Sequence, residues 1–469
     1  MKKQNNTLSL STKLGYGIAS VGDAIVYGIL VTFMIYYLTA IAHVDPGTAG
    51  TISSIALFIS AVTTFFIGYL SDNSKCKTGR RRPYVKVSMP FIFISFIALF
   101  SSFGLTGTAA TLYYGFFAIL LWVSYCTFFV PYTALGAEVT DDYTERTSIR
   151  AYAAVGTQTG NFISTVLPLA VVSLFVSAGL NEAGAWSAMS ACFVTAAVIF
   201  IGLKVKSTKG KELIITHEKN EKRPNLFKDY IEVLRAKPMK FLIMAIICFV
   251  LVNSIFAGNL TFFIIYKLEM SEGYVSTIFA VMFLVAIPLA AVINFVAQKF
   301  DKRIAFIFFF LLSAILMTVF RFIGVNSIFM LGLLSVGFVI ANAGYWQLIS
   351  ATLYDVAEVV ELRTGKRLEG VLSSLQSITQ QIGASIAMLI MGWYLKINHF
   401  DGAAVSQPED ALNSIVTLQT VIPGIILFIG AIFLLLFPIT KQKYALIQNA
   451  LKDKHRTGEY SKEGLERII

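Results

Sequence analysis

Charged side chains are scarce in this chain. Asp, Glu, Lys and Arg make up 14% of its 469 residues, against about 25% in an ordinary soluble domain. That shortage excludes a soluble globular fold. Cysteine is scarcer still: Cys76, Cys126, Cys192 and Cys248 lie far apart, three of them in apolar runs. They form no disulfide framework and no metal-ligand spacing. The four histidines, His43, His217, His399 and His455, fall in loops or tails. There is no catalytic dyad or triad, no phosphate-binding lysine motif and no cluster of His and Cys, so no enzyme activity, cofactor or metal is expected. No cleavable signal is expected. Residues 1–13 are polar, and the first apolar run carries Asp23, which suits a retained span.

Apolar residues are what the chain has in abundance. They make up 56% of it, and the mean hydropathy is +0.71. The stretch from Gly68 to Pro83 organises the rest. It is short and basic, with Lys75, Lys77, Arg80, Arg81 and Arg82, and Lys86 follows it. Uncharged runs flank it at 46–71 and 87–137. A spanning helix needs about 20 apolar residues, so the second run holds two helices and a turn. Read this way, the chain has twelve spans: 14–41, 49–71, 87–105, 112–137, 151–178 and 183–203, then 241–266, 275–298, 305–320, 327–354, 371–395 and 411–440. The expected domains are a six-helix half at 1–204, a polar basic linker at 205–240, a second half at 241–440 and a tail at 441–469. The expected class is an all-α polytopic membrane protein with the paired halves of a major facilitator fold.

Charge fixes the expected sidedness. In this topology every Lys and Arg except Lys267, Arg321 and Lys396 falls on one face, while Asp45, Glu182, Glu269, Glu272, Asp401, Glu409 and Asp410 lie on the other. Basic loops stay in the cytoplasm, so both termini are expected inside a plasma membrane. The net charge of +11 then meets anionic lipid headgroups. No stripe alternates bases with aromatics, so no nucleic-acid partner is expected.

Several polar residues stand inside apolar runs. Asp23 is a lone carboxylate at membrane depth, where a charge costs at least ~2.5 kcal/mol. It reads as an acceptor for substrate hydroxyls or a proton carrier, or else as a hydrated or base-paired residue near the cytoplasmic end. Gln376, Thr379 and Gln380 share a helical face in the eleventh span, with Gln381 beside them. Tyr345, Trp346 and Gln347 stand in the tenth. Aromatic platforms and amides match the ring face and hydroxyl belt of a sugar, and equally suit packing and interhelical hydrogen bonds. Asp355, Glu358 and Glu361 recur every three residues before Arg363, Lys366 and Arg367. They read as a cytoplasmic ion-pair latch or as a solvated loop. Pro131 and Pro168 are expected to kink their helices.

Scattered motifs also resemble a known family. Lys13-Leu-Gly-Tyr-Gly17, Val21-Gly-Asp23, Tyr36-Tyr-Leu-Thr39, Gly68-Tyr-Leu-Ser-Asp72, Gly79-Arg-Arg-Arg-Pro83, Val130-Pro-Tyr132, Asp141-Asp-Tyr-Thr-Glu-Arg146 and Gly365-Lys-Arg-Leu-Glu-Gly370 are similar to those of the glycoside–pentoside–hexuronide:cation symporters. The resemblance runs from Lys13 to about Leu395. It implies a twelve-helix major facilitator fold, a sugar in a central cavity and coupling to sodium or a proton. A cytoplasmic gate is expected at Asp72, Arg80, Arg81 and Arg82 with Asp355, Glu358, Glu361, Arg363 and Arg367. The chain departs from the pattern where the cation binds. The paired aspartates of the second span are Ser60 and Thr64 here, and a further carboxylate before the fourth-span proline is Phe129. The fifth-span arginine falls on Ala153 or Ala154, and the eleventh-span lysine on Gln381. Hard cations favour acidic oxygen ligands, so sodium coupling is disfavoured.

The expectation is therefore a sugar or glycoside carrier, monomeric and working by alternating access, coupled to protons through Asp23 or uncoupled. Asp23, Trp346, Gln347, Gln376 and Gln381 are expected to line its substrate. An exporter of an amphipathic non-sugar solute and a non-transporting sugar sensor are the alternatives.

Overall fold

A computed structural model describes residues 8–72, 74, 81–138, 143–207, 226–404, 406–457, 463–465 and 468. Helices account for nearly all of it. Six come first: α1 (Leu10–Tyr36), α2 (Pro46–Asp72), α3 (Arg82–Leu99), α4 (Gly107–Glu138), α5 (Tyr143–Ser177) and α6 (Glu182–Ser207). A short helix, α7 (Leu226–Arg235), precedes α8 (Lys237–Phe262), α9 (Gly273–Lys299), α10 (Lys302–Ile323), α11 (Ile328–Thr364) and α12 (Glu369–Ile397). Then come α13 (Glu409–Gln419), α14 (Val421–Leu436) and α15 (Lys441–Thr457).

Eleven stretches among the described residues are long and apolar enough to cross a membrane, rather than the twelve expected. The twelfth candidate is α12. It has the length, 29 residues, but Ser373, Ser374, Gln376, Ser377, Thr379, Gln380 and Gln381 dilute its apolar character. The last span is broken into α13 and α14 at Thr420. Pro423 lacks the N–H that a continuous helix would bond to Gln419.

The chain forms two compact units. The first comprises Met1–Glu218, Ala257–Ala280 and Met388–Ser414, and the second the remainder. Within the first, α1 packs on α5 and α6, and α4 on α2 and α3. Small residues make the α1 contacts close. A Cβ on Gly160 would lie 2.6 Å from the Val21 carbonyl oxygen, and one on Gly22 would lie 2.6 Å from that of Ala197. Backbone cannot yield as a side chain can. Gly160→Leu is therefore expected to destabilise the protein by about 1–3 kcal/mol, read as a lower melting temperature in detergent. An unchanged midpoint would contradict the α1–α5 packing. Within the second unit, α10 packs on α11 and α14, and α15 lies along α11.

A structural echo links the two parts of the sequence. α1 ends in a π-helical turn, Tyr37–Ile41, and α8 in another, Phe263–Lys267. Two residues beyond each turn stands a non-glycine residue with positive φ, His43 at 53° and Glu269 at 52°.

Candidate functional site

Asp23 is buried, with 8% of its surface exposed. On α1 it follows Tyr16 and Ser20 and precedes Tyr27 at spacings that share one face. On α4 the matching face is Trp122, Tyr125, Phe129 and Tyr132. The Tyr125 hydroxyl donates to Asp23 Oδ1 at 2.8 Å. Tyr125 stacks on Phe129 with centroids 5.7 Å apart. Tyr27 lies edge-on to Trp122 at 5.9 Å. Tyr132 stacks on Tyr16 at 5.6 Å, and its hydroxyl lies 2.5 Å from that of Ser20. The carboxylate thus faces an aromatic wall with hydroxyl tips. The sequence reading picked out Asp23 and Phe129 but missed Tyr27, Trp122 and Tyr125. Their helical spacing was the available signal.

Ser60 and Thr64, at the degenerate cation position, are buried and turned toward Cys126 on α4. Ser60 Oγ lies 2.8 Å from the thiol sulfur, and the Thr64 hydroxyl donates to it at 3.2 Å. Thr64 also donates to the Ser60 carbonyl. The cluster is neutral and bonded to itself.

In the second unit, Trp346 is 54% exposed. Its ring stands edge-on to Tyr345 at 5.2 Å, and Tyr345 stacks on Phe249 at 3.7 Å. Gln380 Nε2 donates to the Tyr345 hydroxyl at 2.9 Å. Asn342 on α11 donates to Asn253 on α8, also at 2.9 Å. Gln347, Gln376 and Gln381 are half-buried nearby in sequence. The sequence reading missed Phe249, Asn253 and Asn342; two asparagines inside apolar runs were the signal.

The expected gate residues fall into two groups. Arg81 and Arg82 are buried at the start of α3. Arg80 and the Asp72 side chain lie outside the described residues. The acidic end of α11 finds partners within its own unit. Lys302 pairs with Asp355 at 2.8 Å, and Arg367 with Glu361 at 3.2 Å. His455 Nε2 lies 3.3 Å from Glu361, and Arg363 lies 4.0 Å from Glu232 on α7. The Tyr444 hydroxyl donates to Glu358 at 3.0 Å. Burial, then the charge of Glu358, pushes the Tyr444 hydroxyl up to about 12. Lys454 donates to the Leu362 carbonyl at 2.7 Å, capping the end of α11. α7 and α15 are thereby tied to α11.

The opposite helix ends meet in the first unit. Lys396 pairs with Asp45 at 3.0 Å. Burial alone would raise the Asp45 carboxyl, but Lys396 and the Thr48 backbone and hydroxyl together hold it below its ordinary value. Trp393 donates to Thr51 at 3.2 Å. A Cβ on Gly50 would lie 2.8 Å from the Cα of Gly392, so α2 and α12 cross backbone to backbone. The Tyr36 hydroxyl donates to Glu272 at 3.3 Å. Burial, and then the like charge of Glu182, pushes the Glu272 carboxyl up to about 7 against the lowering effect of Tyr36.

Long apolar helices with polar groups inside them mark a membrane protein. Comparison with known proteins supplies the family: the description MFS/sugar transport protein matches residues 15–441, and the chain belongs to that family. It is 24% identical to the inner membrane symporter YicJ of Escherichia coli (strain K12), across 96% of this chain and 95% of that one. It is 22% identical to the isoprimeverose transporter of Lactiplantibacillus pentosus, across 96% and 93%. The crystal structure of a D-xylose-proton symporter matches with a TM-score of 0.61 and 13% identity, across 92% of this chain and 98% of that one. That last likeness shows the major facilitator fold.

Proposed function

We propose that the chain moves a sugar or neutral glycoside across the membrane by alternating access between two six-helix halves, 1–204 and 241–440. The observation that carries this reading is Asp23, a buried carboxylate bonded to Tyr125 against a wall of aromatic rings. A carboxylate accepts from sugar hydroxyls, and rings cover the apolar sugar face. Family membership and the isoprimeverose relative support the cargo. The paired π-turns of α1 and α8 support two related halves. In the second unit the residues of this reading are Trp346, Gln347, Gln376 and Gln381. The termini lie in the cytoplasm, so the Asp45–Lys396 end faces outward. The inner gate lies at the charged end of α11, where Lys302 pairs with Asp355 and Arg367 with Glu361. Counterflow in proteoliposomes tests the reading. Transient accumulation of labelled sugar supports it, and a broad panel with none sinks it.

Transport is independent of sodium. Ser60, Thr64 and Cys126 offer no carboxylate, and they hydrogen-bond to one another. Replacing sodium by choline is expected to change the counterflow rate less than about twofold, a shift within 0.4 kcal/mol. A tenfold loss would overturn this part.

A further inference from the structure

At one end of the second unit, residues of α9, α10, α11, α14 and the start of α15 enclose a cavity of about 250 Å³. Asp301 organises it. One carboxylate oxygen accepts from the Arg303 backbone N–H at 2.9 Å and the other from that of Lys441 at 2.8 Å, so one side chain caps α10 and ties on α15. Lys302 pairs with Asp355 at 2.8 Å and lies 4.9 Å from the centroid of the Tyr444 ring. Arg303 donates to the Leu434 carbonyl at 3.1 Å and to that of Leu435. Glu358, one turn further along α11, accepts from the Tyr444 hydroxyl at 3.0 Å. Each of these carboxylates is therefore engaged. Two exposed cations stand outside that network. Lys441 lines the cavity, and Lys299 ends α9 with its Nζ 5.9 Å from the centroids of Phe295 and Phe300. Apolar side chains flank the opening. Phe300 lines it and is 53% exposed, and Ile304, next to Arg303, and Leu435 and Leu436, next to Leu434, are exposed too. They stand at the ends of apolar spans.

We infer that this cavity binds the headgroup of an anionic phospholipid, with the phosphate held by Lys299 and Lys441 and the acyl chains lying on the apolar ends of α9, α10 and α14. The ligand is anionic because the charge left over in the wall is positive. It carries an apolar tail because the opening lies at the ends of spans, where exposed Phe, Ile and Leu need cover from water. Basic pockets between spans suit anionic headgroups for these two reasons together. Lys299 lays its stem along aromatic rings and keeps its ammonium at the rim, the posture of a lysine at a membrane interface. Ammonium groups bond phosphate oxygens with charge assistance. Gln298 and Thr440 in the same wall offer polar atoms to a glycerol. A zwitterionic headgroup brings its own cation and gains less from a positive wall. A soluble phosphate finds the charge but leaves the apolar rim bare.

The test uses the full-length protein in detergent. Native mass spectrometry reads the first lipid bound when dimyristoyl phosphatidylglycerol and dimyristoyl phosphatidylcholine compete at equal concentration, so only the headgroup differs. One lysine near an anionic headgroup contributes about fivefold, and phosphatidylglycerol is expected to win by at least about tenfold. With Lys299→Gln and Lys441→Gln combined, the preference is expected to fall to about twofold or less. Both lysines are exposed, so their loss spares the packing. Lys452→Gln removes the same charge from an exposed site about three turns further along α15 and is expected to leave the preference intact. Equal binding of the two lipids to the unaltered protein overturns the inference, and that arm needs no variant. So does a double variant that keeps the full preference, since the site would then lie elsewhere. A Lys452→Gln protein that loses the preference as fully as the double variant overturns it as well, because diffuse attraction would explain both. Inorganic phosphate and glycerol 3-phosphate, added in excess, separate the two sources of the anion. Retention of the lipid supports a membrane ligand, and its displacement by either one assigns the cavity to a soluble phosphate instead.

Discussion

Asp23→Ala is expected to abolish counterflow while the protein stays inserted and folded. The carboxylate can accept two hydroxyl hydrogen bonds from a bound sugar beyond the one from Tyr125. Bonds to a charged group contribute about 1.5–3 kcal/mol each, so losing two lowers affinity by roughly two to four orders of magnitude. Stability should move the other way or hardly at all. A buried charge at this depth costs at least ~2.5 kcal/mol, and removing it relieves that cost. The orphaned Tyr125 hydroxyl gives back about 1–3 kcal/mol. Melting temperature in detergent and counterflow rate, measured on the same preparation, separate the two effects. Lost flux with an unchanged or higher midpoint fits a ligand-facing carboxylate. Lost flux with a large fall in midpoint would mark Asp23 as a structural residue. Asp23→Asn should fall between, because an amide still accepts but carries no charge.

The difference between what was legible in the sequence and what was not is physical. Asp23 stood out because one charge in an apolar run is conspicuous at any distance. Its partner Tyr125 lies 102 residues away, and which helix faces α1 is set by packing, which spacing alone cannot give. The same holds for Lys302, whose partner Asp355 is 53 residues on. The spans were readable as uncharged runs, but α12 shows the limit: a helix dense in Ser, Thr and Gln keeps its length and loses its hydropathy signature. α7 and α15 were hidden for the opposite reason. Each is polar enough to read as linker or tail, and each is tied to the charged end of α11 by Glu232, Tyr444 or Lys454. Ser60 and Thr64 carry no acid, yet nothing in their spacing announced Cys126.

Glu272 read only as one acid on an acidic loop face, and folding changes what it is. In the first unit it faces Tyr36 from α1, Glu182 from α6 and Tyr266 from the π-turn after α8. Asp401 acts on Tyr266, and His43 on Glu182. Of the groups that act on Glu272, Tyr266 or Glu182, all but His43 are acids or phenols. Its carboxyl is pushed up to about 7, by burial first and Glu182 second, whereas in open water it would titrate near ~4.3. The sign follows from linkage. The state with this contact formed holds more protons than the state with it broken, so the contact is strongest below about pH 4. It weakens as pH rises through the window up to about 7 and is constant above. Across that window the change is of order 3 kcal/mol. If this end faces outward, alkaline medium loosens the outer closure. Glu272→Gln should remove the dependence, since its amide oxygen still accepts from Tyr36 and never ionises. Val44, buried just beyond the π-turn that follows Tyr36, provides a reporter as Val44→Cys with the four native cysteines replaced by serine. Labelling by a membrane-impermeant maleimide, taken as the ratio of the Glu272 protein to the Glu272→Gln protein, cancels the intrinsic pH response of the thiol. The ratio should be a few-fold above one at pH 5 and rise at least a further tenfold by pH 8. A ratio flat across that range would mean that Glu272 stays neutral, or that its charge is tolerated without any opening.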